Sequence, residues 1–210
     1  MTERVIPYYG GTQQTKNKIL EVSIKLFALR GYSAVSMRDI SEGVGIRPGS
    51  LYNYYTGKEA LMEDVIMRFE CEYKAYFDWL IRENAKAETL EEVMENMFAE
   101  LLKVRELSTY YGMSLVMREQ FNHKSARDRL CRLLYEDSIN WMKADLDRLM
   151  DRGIIPKGNS ETVATILMWC VLAGNDMRIQ ESLGTDLPLD CTDMYKNIKA
   201  FLTAALRQGI

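Results

Sequence analysis

With 210 residues, the chain is long enough for one large domain or for a small domain beside a medium one, and its formal net charge of −3 by itself would argue against a nucleic-acid partner. Its four cysteines are scattered without a Cys-x-x-Cys pair, and its most apolar stretch, around residues 164–174, is too short to span a bilayer. A disulfide scaffold and a membrane-spanning protein are therefore excluded, and we expect a reduced, cytoplasmic chain.

The N-terminal part predicts a flexible arm followed by a helix. Residues 1–14 contain two adjacent glycines and no apolar period, so we expect an arm there. A first helix is predicted over about residues 15–29, where Ile19, Ile24 and Phe27 recur with a 3.6-residue period, and Gly31 ends it.

The next stretch predicts two short helices joined by a glycine turn. Ser36 and Asp39 have the spacing of a capping box, so a helix should begin at Met37. Gly45 suits the left-handed residue that lets the chain turn sharply, and Pro48 suits the first position of the following helix.

Long helices are predicted for the remainder of the chain. Leu51 and Tyr55, four apart, should face the core, and Thr56 with Glu59 forms a second capping box ahead of a helix over about residues 58–84. Strand signals are nearly absent, which predicts an all-α protein. Further helices are predicted over about residues 89–105, 108–121, 125–152, 159–183 and 190–208. Ser125 with Asp128 should cap the third of these, Asn159 or Ser160 the fourth, and Asp190 the last.

Two short helices around a glycine turn form a helix-turn-helix, whose second helix is the size that enters a DNA major groove. The charge distribution agrees, because residues 1–58 hold eight basic and four acidic residues, whereas the rest of the chain holds 19 basic and 26 acidic residues. So modest a positive charge predicts few phosphate contacts per subunit and hence a dimer. Helix-turn-helix units also occur in all-α proteins that never bind nucleic acid, and the pattern alone leaves that alternative open.

A dense set of positions has a characteristic spacing: Ile19-Leu20, Leu26-Phe27, Gly31-Tyr32, Ser36-Met37-Arg38-Asp39-Ile40, Gly45-Ile46, Gly49-Ser50-Leu51-Tyr52, Tyr54-Tyr55, Lys58-Glu59 and Leu61. Residues 15–62 thereby resemble the N-terminal DNA-binding domain of the TetR family of bacterial transcriptional regulators. The rest of the chain is similar to that family only in length and helical character. After the arm expected at 1–14, the resemblance implies a three-helix DNA-binding domain at 15–62 and a larger helical effector-binding and dimerisation domain at 63–210.

Side-chain chemistry and the resemblance both select as DNA-binding candidates Arg38, Arg47, Ser50, Tyr52, Asn53, Tyr54 and Lys58. The resemblance alone adds Pro48 and Gly49. Arg38, Arg47 and Asn53 can contact base edges, whereas the hydroxyls and Lys58 suit phosphates. Two residues depart from the family pattern. Arg47 stands where serine is frequent, so the second helix loses a side-chain cap, and Tyr55 replaces phenylalanine, so its hydroxyl needs a partner or must reach the surface.

The middle helices are rich in methionine and aromatic residues, which adapt to varied ligands and line apolar pockets. The effector-site candidates are Tyr76, Trp79, Met97, Leu101, Tyr110, Met113, Met117 and Trp141. Such residues at helical spacing also form ordinary cores. The resemblance implies a small-molecule site, and we expect a flat or hydrophobic effector.

The last two helices each have a broad apolar face that suits dimerisation. The candidates are Ile166, Trp169, Leu172, Ala173 and Met177 on one helix and Tyr195, Ile198, Phe201, Leu202 and Ala205 on the other. Paired with a second copy, they would form a four-helix interface about a two-fold axis, as the resemblance also implies. The alternative is that both faces pack within one chain.

Together these features predict a DNA-binding transcriptional regulator, a repressor by family default, that binds a palindromic operator as a homodimer and is released by a small, mostly hydrophobic effector. An enzyme is disfavoured because no catalytic motif is present and neither a cofactor nor a metal is expected. The only histidine, His123, and the carboxylates of Glu91, Glu92, Asp145 and Asp147 are expected on solvated surfaces.

One rival function stays open, in which the helical body binds another protein instead of a metabolite. A large apolar cavity in the body would favour an effector sensor. A filled core with an exposed apolar patch would favour a protein partner.

Overall fold

The structure is a computed structural model that describes residues 11–103, 108–185 and 190–209. Side chains are not described for residues 11, 12, 99–103, 108, 109, 182 and 191. Within the described ranges the chain forms helices and connections and no strand, which confirms the all-α fold.

Three helices and the start of a fourth form the N-terminal unit: α1 (Gly11–Arg30), α2 (Met37–Val44), α3 (Pro48–Tyr52) and α4 (Lys58–Asn84). The predicted arm overlaps the first turn of α1, and residues 1–10 lie outside the described residues. The body comprises α5 (Leu90–Lys103), α6 (Ser108–Glu119), α7 (Lys124–Arg129), a π-helical segment (Leu130–Asp137), α8 (Ser138–Asp151), α9 (Ser160–Ser182) and α10 (Cys191–Arg207).

The helix-turn-helix geometry is confirmed at its predicted start and turn. Ser36 caps α2 in a capping box with Asp39, and Gly45 follows α2 in the left-handed region at φ 80°. The capping box predicted at Thr56 is wrong, because Gly57 caps α4 without a side-chain bond. The carboxylate of Glu59 instead accepts a hydrogen bond from the Tyr32 hydroxyl at 2.7 Å, which removes it from the capping position.

The helix that follows α6 begins earlier than predicted and changes its winding. His123, not Ser125, occupies its N-cap position, and the Ser125 hydroxyl donates to Glu63 at 2.8 Å. The segment Leu130–Asp137 then winds as a π-helix, and the Ser138 hydroxyl donates to the Leu133 carbonyl at 2.5 Å. Apolar spacing alone predicts a helix here but does not reveal the wider turn.

One continuous apolar core joins the N-terminal unit to the body. Its centre is α4, whose buried side chains, such as Leu61 and Phe69, contact α1 at one end and α5, α6 and α8 farther along. The helices α4 and α6 approach so closely at Gly112 that an added Cβ would lie 2.5 Å from Cγ and 2.7 Å from Cβ of Phe69. The body therefore sets the position of the N-terminal unit through direct helix packing.

Candidate DNA interface and effector site

The short helix α3 presents most of the predicted DNA-binding residues to solvent. Arg47 precedes it in an extended conformation without a side-chain cap, as predicted, and Pro48 occupies its first turn. The fully buried Leu51 anchors the opposite face, so Tyr52 is left 54 % exposed. We call the exposed candidates the recognition surface: Arg38, Arg47, Pro48, Gly49, Tyr52 and Asn53.

The remaining DNA candidates are less accessible than the recognition surface. Ser50 and Tyr54 are half-buried beside it. Within the surface, Arg38 is engaged by an ion pair with Glu42 on the same helix at 2.9 Å. A DNA contact by Arg38 would therefore compete with, or share, this exposed pair, which contributes little on its own.

Tyr55, which stands where the family usually has phenylalanine, forms a hydrogen bond through its hydroxyl. The ring is buried, and the hydroxyl donates to the Asp64 carboxylate at 3.1 Å. Burial, together with the Asp64 charge, raises the pKa of Tyr55 above its usual value. Lys16 lies 2.9 Å from Asp64 and completes the group, which ties α1 to α4.

Lys58, predicted to bind phosphate, is directed into the N-terminal unit. Its ammonium donates to the carbonyls of Tyr32 and Val35, both at 2.8 Å, and lies 4.2 Å from the centre of the Tyr32 ring. These contacts fasten the connection between α1 and α2 to the start of α4. The phosphate contact stays a prediction.

Replacing Lys58 by methionine separates the two roles. We expect a loss of about 1.5–3 kcal/mol in the free energy of unfolding, because two charge-assisted hydrogen bonds disappear. The salt dependence of DNA affinity should keep its slope, whereas loss of a phosphate contact would reduce that slope by about 1. Thermal unfolding and anisotropy titrations at several salt concentrations measure both quantities. Lys18→Met, at an exposed lysine of α1, is the control for stability.

The body contacts the N-terminal unit around Tyr32. The buried carboxylate of Glu119 accepts the Tyr32 backbone N–H at 2.9 Å, and Arg118 donates to the Ala28 carbonyl at 2.8 Å. The His123 ring packs edge-on against Tyr32 at a centroid distance of 4.3 Å. The expectation that His123 is solvated is therefore wrong, because its side chain covers Tyr32. The C-terminal end of α6 thus holds the end of α1.

A cavity lies in the body between α4, α5 and α8. It measures about 10 Å³, close to the space of one water molecule. Aromatic and aliphatic side chains form most of its wall, and two buried polar residues complete it. The lining includes Phe77, Met97, Trp141, Met142, Asn84 and Asp145.

The predicted effector residues divide into two groups. Met97 and Trp141 line the cavity, the Tyr76 hydroxyl lies 3.5 Å from the Met97 carbonyl, and Trp79 stacks behind Tyr76 with ring centroids 6.0 Å apart. The others lie on α6 outside the cavity lining: Tyr110 and Met113 buried, Met117 half-buried. The side chain of Leu101 lies outside the described residues.

Asp145 was expected on a solvated face, and that expectation is wrong. The residue is 6 % exposed, with Asn84 donating to one carboxylate oxygen at 2.5 Å and Arg148 to the other at 2.7 Å. Burial raises its pKa above the usual value, although both partners oppose that shift. The signal that sequence reasoning missed is spacing, because Asp145 shares a helical face with Met142 and Leu149.

The last two helices leave an apolar face uncovered. Four of the predicted dimer residues are exposed: Ile166, Trp169, Ala173 and Phe201. Three are half-buried, namely Met177, Ile198 and Ala205, and three are buried, namely Leu172, Tyr195 and Leu202. The buried residues pack α9 and α10 within the subunit. The alternative in which both apolar faces pack within one chain therefore holds for these residues. Trp169 is 58 % and Phe201 66 % exposed, and a groove of about 230 Å³ runs between Ile166 and Phe201. We call the exposed set the α9–α10 face.

Residues 19–65 match the family model described as bacterial regulatory proteins, tetR family. The N-terminal unit is therefore a TetR-family DNA-binding domain. Over 71 residues it is 32 % identical to the HTH-type transcriptional repressor KstR2 of Mycobacterium tuberculosis, a match that covers 34 % of this chain and 32 % of that protein. The chain therefore spans about a third of the length of such curated relatives.

Two solved structures share the fold over nearly the whole chain. A protein from Saccharomonospora viridis in complex with choline has a TM-score of 0.69 and 19 % identity, covering 90 % of this chain and 96 % of that one. The fatty acid degradation regulator FadR of Bacillus halodurans has a TM-score of 0.64 and 15 % identity, covering 96 % and 99 %. At these identities the likeness establishes the TetR fold of the body and nothing further.

TetR-family proteins are DNA-binding transcriptional regulators rather than enzymes, in agreement with the sequence prediction. In the parts of the chain that the structure describes, His, Cys, Asp and Glu side chains form no group suited to a metal ion. Across the same ranges, no helix is both long and apolar enough to cross a membrane.

Proposed function

We propose that this TetR-family protein is a cytoplasmic repressor that binds a palindromic operator as a homodimer and is released by a small, mostly hydrophobic effector. The observation that carries the proposal is the recognition surface, an exposed arginine- and tyrosine-bearing helix start anchored by the buried Leu51. Backbone phosphates fix the position of such a helix in the major groove, and Arg47 and Asn53 can read base edges.

Dimerisation supplies the second recognition surface. Two helix-turn-helix units read half-sites roughly 34–36 Å apart, one DNA turn, so a single subunit holds half of the required contacts. The α9–α10 face supports a symmetric pairing because its exposed aromatic side chains, Trp169 and Phe201, would be covered by the same face of a second copy.

Effector release is supported by the path from the cavity to the DNA-binding unit. The helix α4 begins at Lys58 in that unit and ends at Asn84 in the cavity wall. A ligand that favours a different separation of α4 and α8 would shift the population toward a different position of α3. The neighbours in complex with choline and named for fatty acid degradation support a small molecule as the effector class.

A second candidate function has one observation in its favour. In this candidate function the helical body binds another protein instead of a metabolite. A small cavity together with an exposed apolar face, the α9–α10 face, is the combination that favours it. We assign that face to a second copy, because reading a palindrome requires a two-fold partner. If subunits carrying a charged α9–α10 face remained dimeric, the face would be free for another protein.

Substituting the recognition surface tests the DNA-binding function. We expect Arg47→Ala to weaken binding to an operator selected from random duplexes by roughly five- to 150-fold, the effect of losing one bidentate base contact. Specificity at one base position should relax at the same time. Arg82→Ala, at an exposed arginine of α4 in the body, should leave affinity unchanged. Failure of the wild-type protein to enrich any palindromic sequence would contradict the proposed function.

A further inference from the structure

We propose that the effector carries a positive charge, as an amine or ammonium group attached to a small apolar body. The inference rests on the proposed effector function of the body cavity and identifies the chemistry that this cavity selects. Three features of the cavity support it: its aromatic wall, the single charge on that wall, and the way that charge is held.

The wall of the cavity is aromatic on the side formed by α4 and α8. The Phe77 and Trp141 rings lie 5.1 Å apart at 45°, and Tyr76 meets Phe77 edge-on at 5.6 Å. The faces of such rings attract cations through their quadrupole, most strongly where water is excluded. A neutral apolar ligand would also fit these rings, so the wall permits a cation without requiring one.

The one ionisable side chain on the described part of the wall favours a cation, although it also has a partner outside the cavity. Among the described lining residues, Asp145 is the one with an ionisable side chain, and the others are apolar apart from Asn84. Its partner Arg148 does not line the cavity and is 41 % exposed, which places that positive charge toward solvent. The nearby Arg152 is occupied by the carbonyls of Asn84 and Ala87, at 3.2 and 2.7 Å. The charged group that lines the cavity is therefore the Asp145 carboxylate.

The orientation of that carboxylate is fixed by a chain of amides. Asn96 donates to the side-chain oxygen of Asn84 at 3.1 Å, which turns the Asn84 amide nitrogen toward Asp145. A preorganised acceptor that loses no freedom on binding favours a ligand with N–H groups or a fixed positive charge. Burial already raises the pKa of Asp145, which means that its charge is poorly solvated and would gain from a cation.

The ligand must be small or must displace side chains, since the cavity is close to one water molecule in size. Met97 and Met142 line it, and methionine side chains rearrange at low cost. An anionic ligand would place a second negative charge beside the Asp145 carboxylate in a poorly solvated space, which is less favourable than a neutral or cationic ligand there.

Three probes of nearly the same shape test the charge alone: 2-phenylethylammonium, 2-phenylethanol and phenylacetate. With the full-length wild-type protein, calorimetric titration should show the ammonium binding at least about tenfold more tightly than the alcohol, a difference of about 1.4 kcal/mol, and phenylacetate binding most weakly. This comparison needs no mutation and therefore does not depend on a variant folding.

Two matched variants then test whether the preference for the ammonium probe depends on Asp145. Asp145→Asn should remove the tenfold advantage of the ammonium while leaving alcohol affinity unchanged, and Asp147→Asn, two residues away on a half-exposed carboxylate, should behave as wild type. Equal binding of ammonium and alcohol would overturn the inference, as would binding of none of the probes or an equal loss in both variants. Operator binding without probe is measured in parallel, so a failure of the proposed DNA-binding function is recognised separately.

Discussion

Replacing Ile166 and Phe201 together by glutamate should prevent formation of the proposed homodimer and weaken operator binding on the order of a hundredfold or more, because half of the phosphate and base contacts are lost. Both side chains are exposed on the subunit surface and line the same groove, so the substitution should leave the fold of each subunit intact. Four glutamates facing each other across a two-fold axis would repel and could not be solvated.

Sedimentation equilibrium gives the mass of the double variant, and anisotropy titration gives its operator affinity. The slope of affinity against salt should also fall to about half, because one subunit contacts half of the phosphates. Phe121→Glu, at an aromatic residue that is 82 % exposed but distant in sequence from α9 and α10, should remain dimeric. A double variant that stays dimeric would remove the α9–α10 face from the proposed interface.

Replacing Gly112 by alanine should destabilise the protein by about 1–3 kcal/mol, the usual effect of overpacking a core. The new methyl group would lie 2.7 Å from Cβ of Phe69, an atom that cannot move without α4. For a chain of this length, the expected fall in melting temperature is roughly 2–12 °C. Because α6 also holds Tyr32 through Glu119, forcing α4 and α6 apart should shift the recognition surface and lower operator affinity as well.

Thermal unfolding followed by circular dichroism measures the first effect. Gly49→Ala is the matched control for stability, since a Cβ at Gly49 meets no atom within 4 Å and alanine favours the helix. An unchanged melting temperature for Gly112→Ala would mean that α4 and α6 pack less tightly than their contact at Phe69 requires.

The local signals in the sequence were sufficient for the helix-turn-helix. The capping box at Ser36, the left-handed Gly45 and the first-turn Pro48 each depend on neighbours within a few residues, and all three are confirmed. The N-cap at Asp190 is confirmed for the same reason, and of the alternatives Asn159 and Ser160 it is Asn159 that caps α9. The cap predictions at Thr56 and Ser125 failed because a residue distant in sequence binds a side chain of each motif. Tyr32 donates a hydrogen bond to Glu59, and Ser125 donates one to Glu63.

The site was less predictable, because long-range contacts decide it. Lys58 matches a phosphate-binding position in sequence, yet its ammonium meets two carbonyls more than 20 residues earlier in the chain. Asp145 resembled its half-exposed neighbour Asp147; its spacing from Met142 and Leu149 indicates a buried face but does not reveal that Asn84 of α4 donates to it. In both cases the spacing within one helix carried no information about the partner that determines the role of the side chain.

The π-helical segment Leu130–Asp137 has a consequence for how this chain compares with its relatives. A turn closed by i→i+5 bonds takes one residue more than an α turn, so the segment is equivalent to a single-residue insertion into an otherwise α-helical stretch from Lys124 to Asp151. The wider turn absorbs this residue, whereas an extra residue in a continuous α-helix would rotate everything after it by about 100° around the helix axis. Relatives whose helix is α throughout should therefore align with a one-residue gap in this segment.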